Sequence, residues 1–183
     1  NPGRVSHLLT LGGFARGLFH RRARARASRT LDALCRLVEE GWGQDNPAFR
    51  QLFTSQMFPG ANAQQSRSFN ELQRVACSPQ EAASLQRHVA DFDATADLCN
   101  VRCPTLVMHS AHDARVPFEE GRLIASTIAD ARLEPIDSAN HTPLKGEPAF
   151  EQINGLIDEF LCANLRQGPS RRANLRAVGV AEG

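Results

Sequence analysis

No stretch of this 183-residue chain approaches 18 consecutive apolar residues, so the sequence offers no membrane-spanning helix and no membrane partner is expected. It also lacks a C-x-x-C pair. Its five cysteines (Cys35, Cys77, Cys99, Cys103 and Cys162) are odd in number and scattered, which argues against a disulfide framework and against a zinc site. A reducing, cytoplasmic compartment is the expected setting. There is no internal repeat and no low-complexity segment. An initiating Met is missing as well: Asn1 stands first, so the true start is expected upstream and targeting signals are unreadable.

Acidic residues are absent from residues 1–30, which carry seven Arg, while residues 166–183 carry four Arg and one Glu. The net charge of +1 therefore hides an acidic middle, with 10 basic and 19 acidic residues over 31–165. A body of that sign has no basic face for nucleic acid, and no nucleic-acid partner is expected for this segment. The run from His20 to Arg29 is basic but has no interleaved aromatics, and reads as a solvated helix face. The hydrophobic content of 42% is enough for one globular domain with a sizeable core.

Along the chain, Val5 to Leu11 reads as a strand bracketed by Asn-Pro-Gly and Gly12-Gly13. From Phe14 to about Phe92 the pattern is helical. Asn46-Pro47 and Ser78-Pro79-Gln80-Glu81 are helix starts, the latter a capping box with proline in the first turn. Phe49, Phe53 and Met57, and again Leu85, His88, Val89 and Phe92, recur three or four apart and predict one buried stripe per helix. After Pro104 the period changes. Thr105 to Met108 reads as a strand, Phe118 to Ala129 as a helix, and Arg132 to Ile136 as a second strand whose Pro135 suggests an edge. Pro148 opens a last helix with Phe150, Ile153, Ile157, Phe160 and Leu161 on one face. The expected division is an α/β core over 1–13 and 93–165, a helical insertion over 14–92, and a tail or linker over 166–183.

The chemistry concentrates at two loops. Strand, helix, strand over 104–136 is a βαβ unit, whose parallel strands end at one sheet edge, so the loops that follow them are neighbours. The first carries Asp113 and the second His141. A carboxylate that accepts from one ring nitrogen fixes the tautomer and stabilises the imidazolium formed when the other nitrogen takes a proton from a nucleophile. Asp113 and His141 are the candidate catalytic residues. His112 competes as base and Asp137 as acid. His109, His112, Asp113 and His141 could also be metal ligands, but their spacing matches no zinc motif; no metal and no cofactor are expected.

At these residues the chain resembles the C-terminal part of an α/β-hydrolase-fold protein. Pro104-Thr-Leu-Val-Met-His-Ser-Ala-His-Asp-Ala-Arg-Val-Pro117 is similar to that family's acid strand and loop, and Ser138-Ala-Asn-His141 to its histidine loop. Val5-Ser-His-Leu-Leu-Thr-Leu-Gly-Gly13 and Gly41-Trp-Gly-Gln-Asp-Asn-Pro-Ala-Phe-Arg50 resemble a bacterial subgroup often fused to a nucleotide cyclase or a helix-turn-helix regulator. The resemblance covers about residues 1–163. It implies parallel strands with flanking helices, a helical cap over 14–92, and the order serine, acid, histidine. It also makes Asn1 to Arg4 the end of the helix that follows the nucleophile.

No serine here lies in a Gly-x-Ser-x-Gly setting, so the nucleophile and the oxyanion hole are expected before Asn1, and the chain alone is expected to be inactive. The upstream half would be a required partner. Without it Val5 to Leu11 should present an unpaired apolar edge, leaving the chain marginal or prone to association. Phe14, Phe19, Phe49, Phe53, Phe58 and Phe69, with Trp42 and Met57, could line an apolar pocket, although packing among the helices is the preferred reading. The resemblance implies a serine hydrolase acting on a small ester or amide. The alternative is a ligand-sensing module of a bacterial regulator or cyclase, with a small molecule as ligand.

Overall fold

A computed structural model describes residues 4–166, with side chains through residue 163. The tail expected over 166–183 lies outside the described residues from 167 onward, as do residues 1–3 of the expected helix end. The elements run β1 (Leu8–Leu11), α1 (Leu18–Arg21), α2 (Arg24–Gly41), α3 (Ala48–Met57), α4 (Ala63–Ala76), α5 (Pro79–Asp91), α6 (Thr95–Leu98), β2 (Thr105–Ser110), α7 (Phe118–Thr127), β3 (Ala131–Ile136) and α8 (Pro148–Arg166).

The strands form one parallel sheet in the order β1-β2-β3. All six residues of β2 are buried, as expected of a strand paired on both edges and covered on both faces. Its side chains alternate between two cores. Leu106 and Met108 meet Ile136 and the Ala149, Ile153 and Phe160 face of α8, whereas Val107 meets Leu98 and the Ile124 and Ile128 end of α7. The predicted face of α8 is therefore the face that packs. Pro135 sits on β3, an edge strand among the described residues, where the missing N–H is tolerated.

Two sequence expectations about strand and helix faces need correction. The first strand begins at Leu8 rather than Val5, because pairing with β2 starts at Leu8 opposite Thr105 and Val5 is 49% exposed. In α5 the stripe of Leu85, His88 and Phe92 faces outward, while Ala82, Ala83 and Ala90 are buried against α2. Both sets have helical spacing. The alanines are chosen because two helices approach more closely over small side chains than over Leu and Phe, and α2 presents Leu31, Cys35 and Val38 to fill the seam. The Ser78 capping box forms as expected, with Glu81 accepting from the Ser78 amide at 2.8 Å.

The helical segment α1–α5 leaves the sheet after β1 and returns before β2 through a stapled neck. Gly17 donates to the Phe92 carbonyl at 2.7 Å and Ala94 to the Ala15 carbonyl at 2.9 Å, with Arg16 and Asp93 bridged antiparallel. The buried Glu120 carboxylate of α7 then ties this neck to the sheet. It accepts from the Ala15 and Arg16 amides and, on its other oxygen, from Arg16 Nε and Nη2 at 3.1 and 2.8 Å. The four donors compensate a carboxylate that is 1% exposed.

The outer edge of β1 pairs with nothing among the described residues, and beside it Val5, Leu8, Val101 and Cys103 line an apolar depression of about 320 Å³. An unpaired edge next to apolar surface templates association. Light scattering of the isolated 183-residue chain should give a mass above 20.1 kDa that rises with concentration. A constant 20.1 kDa species with a single cooperative unfolding transition contradicts this expectation.

Candidate active site

The register of β2 and β3 places Ser110 opposite Ile136, so the two strands end level and their loops start side by side. The loops then bond directly to each other. The Ala111 amide donates to the Ile136 carbonyl at 2.8 Å and the His112 amide to the Ser138 carbonyl at 3.2 Å. Asp113 thereby reaches His141: Oδ2 accepts from His141 Nδ1 at 2.7 Å, within the range of charge-assisted hydrogen bonds. The two residues selected from the sequence are in contact.

Each partner is held by backbone as well. Asp113 Oδ1 accepts the Arg115 and Val116 amides at 2.7 and 2.9 Å, an Asx turn that aims Oδ2 at the imidazole. The His141 amide donates to the Met57 carbonyl at 2.7 Å, so the end of α3 fixes the histidine's own backbone. With Nδ1 donating to a carboxylate, the neutral ring leaves the Nε2 lone pair available as a proton acceptor. The His141 side chain is 15% exposed, while that of Asp113 is fully buried. Among the described residues no serine, threonine or cysteine side chain hydrogen-bonds to the His141 ring.

Several residues that shape this pair gave no clear sequence signal. Gly12 has φ +62°, and a Cβ placed on it would come 2.7 Å from His141 Cε1, so the imidazole occupies space that only glycine leaves open. From the sequence, the Gly12-Gly13 pair after a strand signals only a turn. His109, fully buried, points Nε2 at the Val116 carbonyl (3.1 Å) and lies 3.5 Å from Asp113 Oδ2. Gly121 makes room for it, since a Cβ there would meet His109 Nδ1 at 2.8 Å.

Glu147 braces the histidine loop, accepting from Asn140 Nδ2 at 2.5 Å, the Leu144 amide at 2.8 Å and Ser138 Oγ at 3.2 Å. Asn140 Oδ1 in turn accepts the Gly60 amide from the α3–α4 turn at 2.9 Å. Glu147 directly precedes Pro148, where the sequence signals only a helix start.

The competing residues stay outside this arrangement. His112 and Asp137 are exposed, and neither side chain joins the pair. Among the described residues no group of three or more His, Cys, Asp or Glu side chains is placed to hold a metal ion, and no described helix is long and apolar enough to cross a membrane.

Of the aromatic residues singled out, Phe53 and Trp42 pack edge to face in the helical core at 5.3 Å. Phe58 and Phe69, by contrast, join Leu72 and Leu144 around a cavity of about 370 Å³ beside the histidine loop.

Burial pushes the Asp113 carboxyl up, and the hydrogen bonds from His141 and the Val116 and Arg115 amides outweigh it, so its pKa lies below the ordinary aspartate value. A depressed folded-state pKa contributes stability that is complete above the unfolded value of about 4 and is lost as pH falls through the lower folded value. Asp113→Asn should therefore cost about 1.5–3 kcal/mol near pH 6, with the gap to the parent closing in denaturant titrations as pH falls through the lowered Asp113 pKa. A gap that is independent of pH would show that the carboxylate is not the stabilising form.

No family model matches the sequence. The chain is 33% identical over 85 residues to a pimeloyl-[acyl-carrier protein] methyl ester esterase of Aromatoleum aromaticum, a match covering 46% of this chain and 33% of that protein. An esterase from Exiguobacterium antarcticum superposes with a TM-score of 0.65 at 21% identity, over 88% of this chain and 57% of its own. An alpha/beta hydrolase enzyme from a Medee basin deep-sea metagenome library superposes with a TM-score of 0.68 at 16% identity, over 87% and 57%. The chain thus spans a third of that curated relative and somewhat over half of those structures. A parallel sheet with helices on both faces, superposing on most of this chain but on only part of its neighbours, makes the protein a partial α/β-hydrolase fold.

Proposed function

We propose that Asp113 and His141 are the acid and the general base of a serine-hydrolase site acting on a small ester or amide. The observation that carries this reading is the 2.7 Å bond from His141 Nδ1 to a buried carboxylate, with Nε2 left free to accept a proton. In this reading Nε2 takes the proton of an attacking hydroxyl, Asp113 stabilises the resulting imidazolium, and the same proton passes to the leaving group. The esterases among the similar proteins support an acyl-transfer reaction rather than another use of the pair.

The α1–α5 segment serves as the cap of this site. Its support is the set of contacts it makes with both loops: Met57 to His141, Gly60 to Asn140, and Gln56 and Gln86 to Arg115. The cavity lined by Phe58, Phe69, Leu72 and Leu144 would take an apolar acyl portion. The nucleophile and its oxyanion donors come from polypeptide preceding these residues, in the order serine, acid, histidine.

The 183-residue chain should show no turnover of a p-nitrophenyl ester that depends on Asp113 and His141. Joined to a preceding segment with a Gly-x-Ser-x-Gly, it should hydrolyse such an ester, and Asp113→Asn should lower kcat by about 10⁴. Turnover by the 183 residues alone that disappears in His141→Ala would overturn the assignment of the nucleophile, and an active longer protein indifferent to both substitutions would overturn the assignment of the pair.

A further inference from the structure

The acid loop has a second neighbour besides the histidine loop. Between it and α1 lies a cavity of about 170 Å³, walled by Leu18, Arg21 and Arg22 on one side and by Asp113, Ala114 and Arg115 on the other. Its charges do not balance. Asp113 already has one oxygen on His141 and the other on two backbone amides. Glu120, the carboxylate acting on Arg21, is bonded to Arg16 and to the amides of residues 15 and 16.

The arginines, in contrast, form no ion pair among the described residues: the carboxylates that act on them, Glu120 on Arg21 and Asp113 on Arg115, are the ones bonded elsewhere. Arg115 donates only to neutral oxygens, Gln56 Oε1 at 3.1 Å and Gln86 Oε1 at 3.0 Å, and lies 6.0 Å over the Phe53 ring. Arg21 lies 5.6 Å over the Phe14 ring, and its Nε is buried without a hydrogen-bond partner. Burial lowers the pKa of both guanidinium groups, and Arg21 adds to the effect at Arg115. An arginine does not lose its proton in response, so the positive field persists. An anion placed between the guanidinium groups would offset their mutual repulsion.

We propose that this cavity is an oxyanion subsite that receives the carboxylate or phosphate-monoester group of a small-molecule ligand bound at the Asp113–His141 pair. Its volume is below that of a whole ligand pocket, typically about 300 Å³ or more, and suits one charged group rather than an entire substrate. Two planar forks approaching from α1 and from the acid loop favour an acceptor with two or three oxygens in one plane or on one face. Assigning the anion to a substrate rests on the hydrolase reading given above; the binding of the anion does not.

Calorimetric titration of the 183-residue chain with inorganic phosphate and, separately, with succinate tests this, with ionic strength held constant by sodium chloride. Saturable heat is expected with at least one of the two, phosphate alone identifying a phosphoryl ligand and succinate alone a carboxylate. Neutral succinamide should give none. Arg21→Gln should weaken the response by about tenfold or more and Arg21→Lys by less, because the charge is kept. Arg22→Gln, at an exposed side chain where folding is not at risk, should weaken it as well.

Heat that fails to saturate with either anion, or that is unchanged in both Gln variants, overturns the subsite. Saturable binding in a protein whose longer form hydrolyses no ester would leave the subsite standing and remove the hydrolase reading.

Discussion

Ser110 and Ile136 face each other at the ends of two parallel strands, and the candidate site depends on that one register. Because β2 and β3 end level, the loops that leave them bond through their backbones at Ala111 and His112 before any side chain is involved. A shift by one residue would turn Val107 and Leu106 to the wrong cores and move Asp113 away from His141 at the same time. The burial of all six β2 residues makes such a shift costly. The carboxylate and imidazole are therefore brought together by the same packing that builds the sheet.

The helical segment is built into this arrangement rather than appended to it. It is stapled at its neck by Gly17 and Ala94 and anchored through Arg16 to the buried Glu120. Its α3–α4 turn reaches the histidine loop through Met57 and Gly60, and its α3 and α5 reach the acid loop through Gln56 and Gln86. Any displacement of these helices would consequently strain both loops. Glu147, which ties Asn140, Ser138 and the Leu144 amide together, is the brace that keeps the histidine loop in one conformation between sheet and helices.

How far the sequence could be read follows from what each signal encodes. Asp113 and His141 were legible because strand length, the following helix and parallel topology together determine where two loops meet. The face of α8 was legible because its apolar residues form one stripe with no rival. In α5 two stripes have the same period, and the choice between Ala82, Ala83 and Ala90 and the larger Leu85 and Phe92 is made by how closely α2 approaches, which is a tertiary quantity.

Gly12 escaped for a similar reason. Its positive φ is a local property, but the imidazole that fills its missing side chain comes from residue 141. Nor does the sequence show what the fork of Arg115 meets. Only the fold shows that its partners are two neutral amide side chains and that Arg21 stands across a small cavity from it.

The site stands on the short hydrogen bond that the buried Asp113 carboxylate accepts from His141 Nδ1. Proton NMR measures it most directly, since a nitrogen-bound proton in such a bond resonates far downfield of ordinary amide and ring protons. One such resonance is expected near neutral pH, lost in His141→Gln and in Asp113→Asn and retained in His112→Gln. A spectrum without it, or a downfield proton that survives Asp113→Asn but disappears in His112→Gln, would show that Asp113 and His141 do not share this bond.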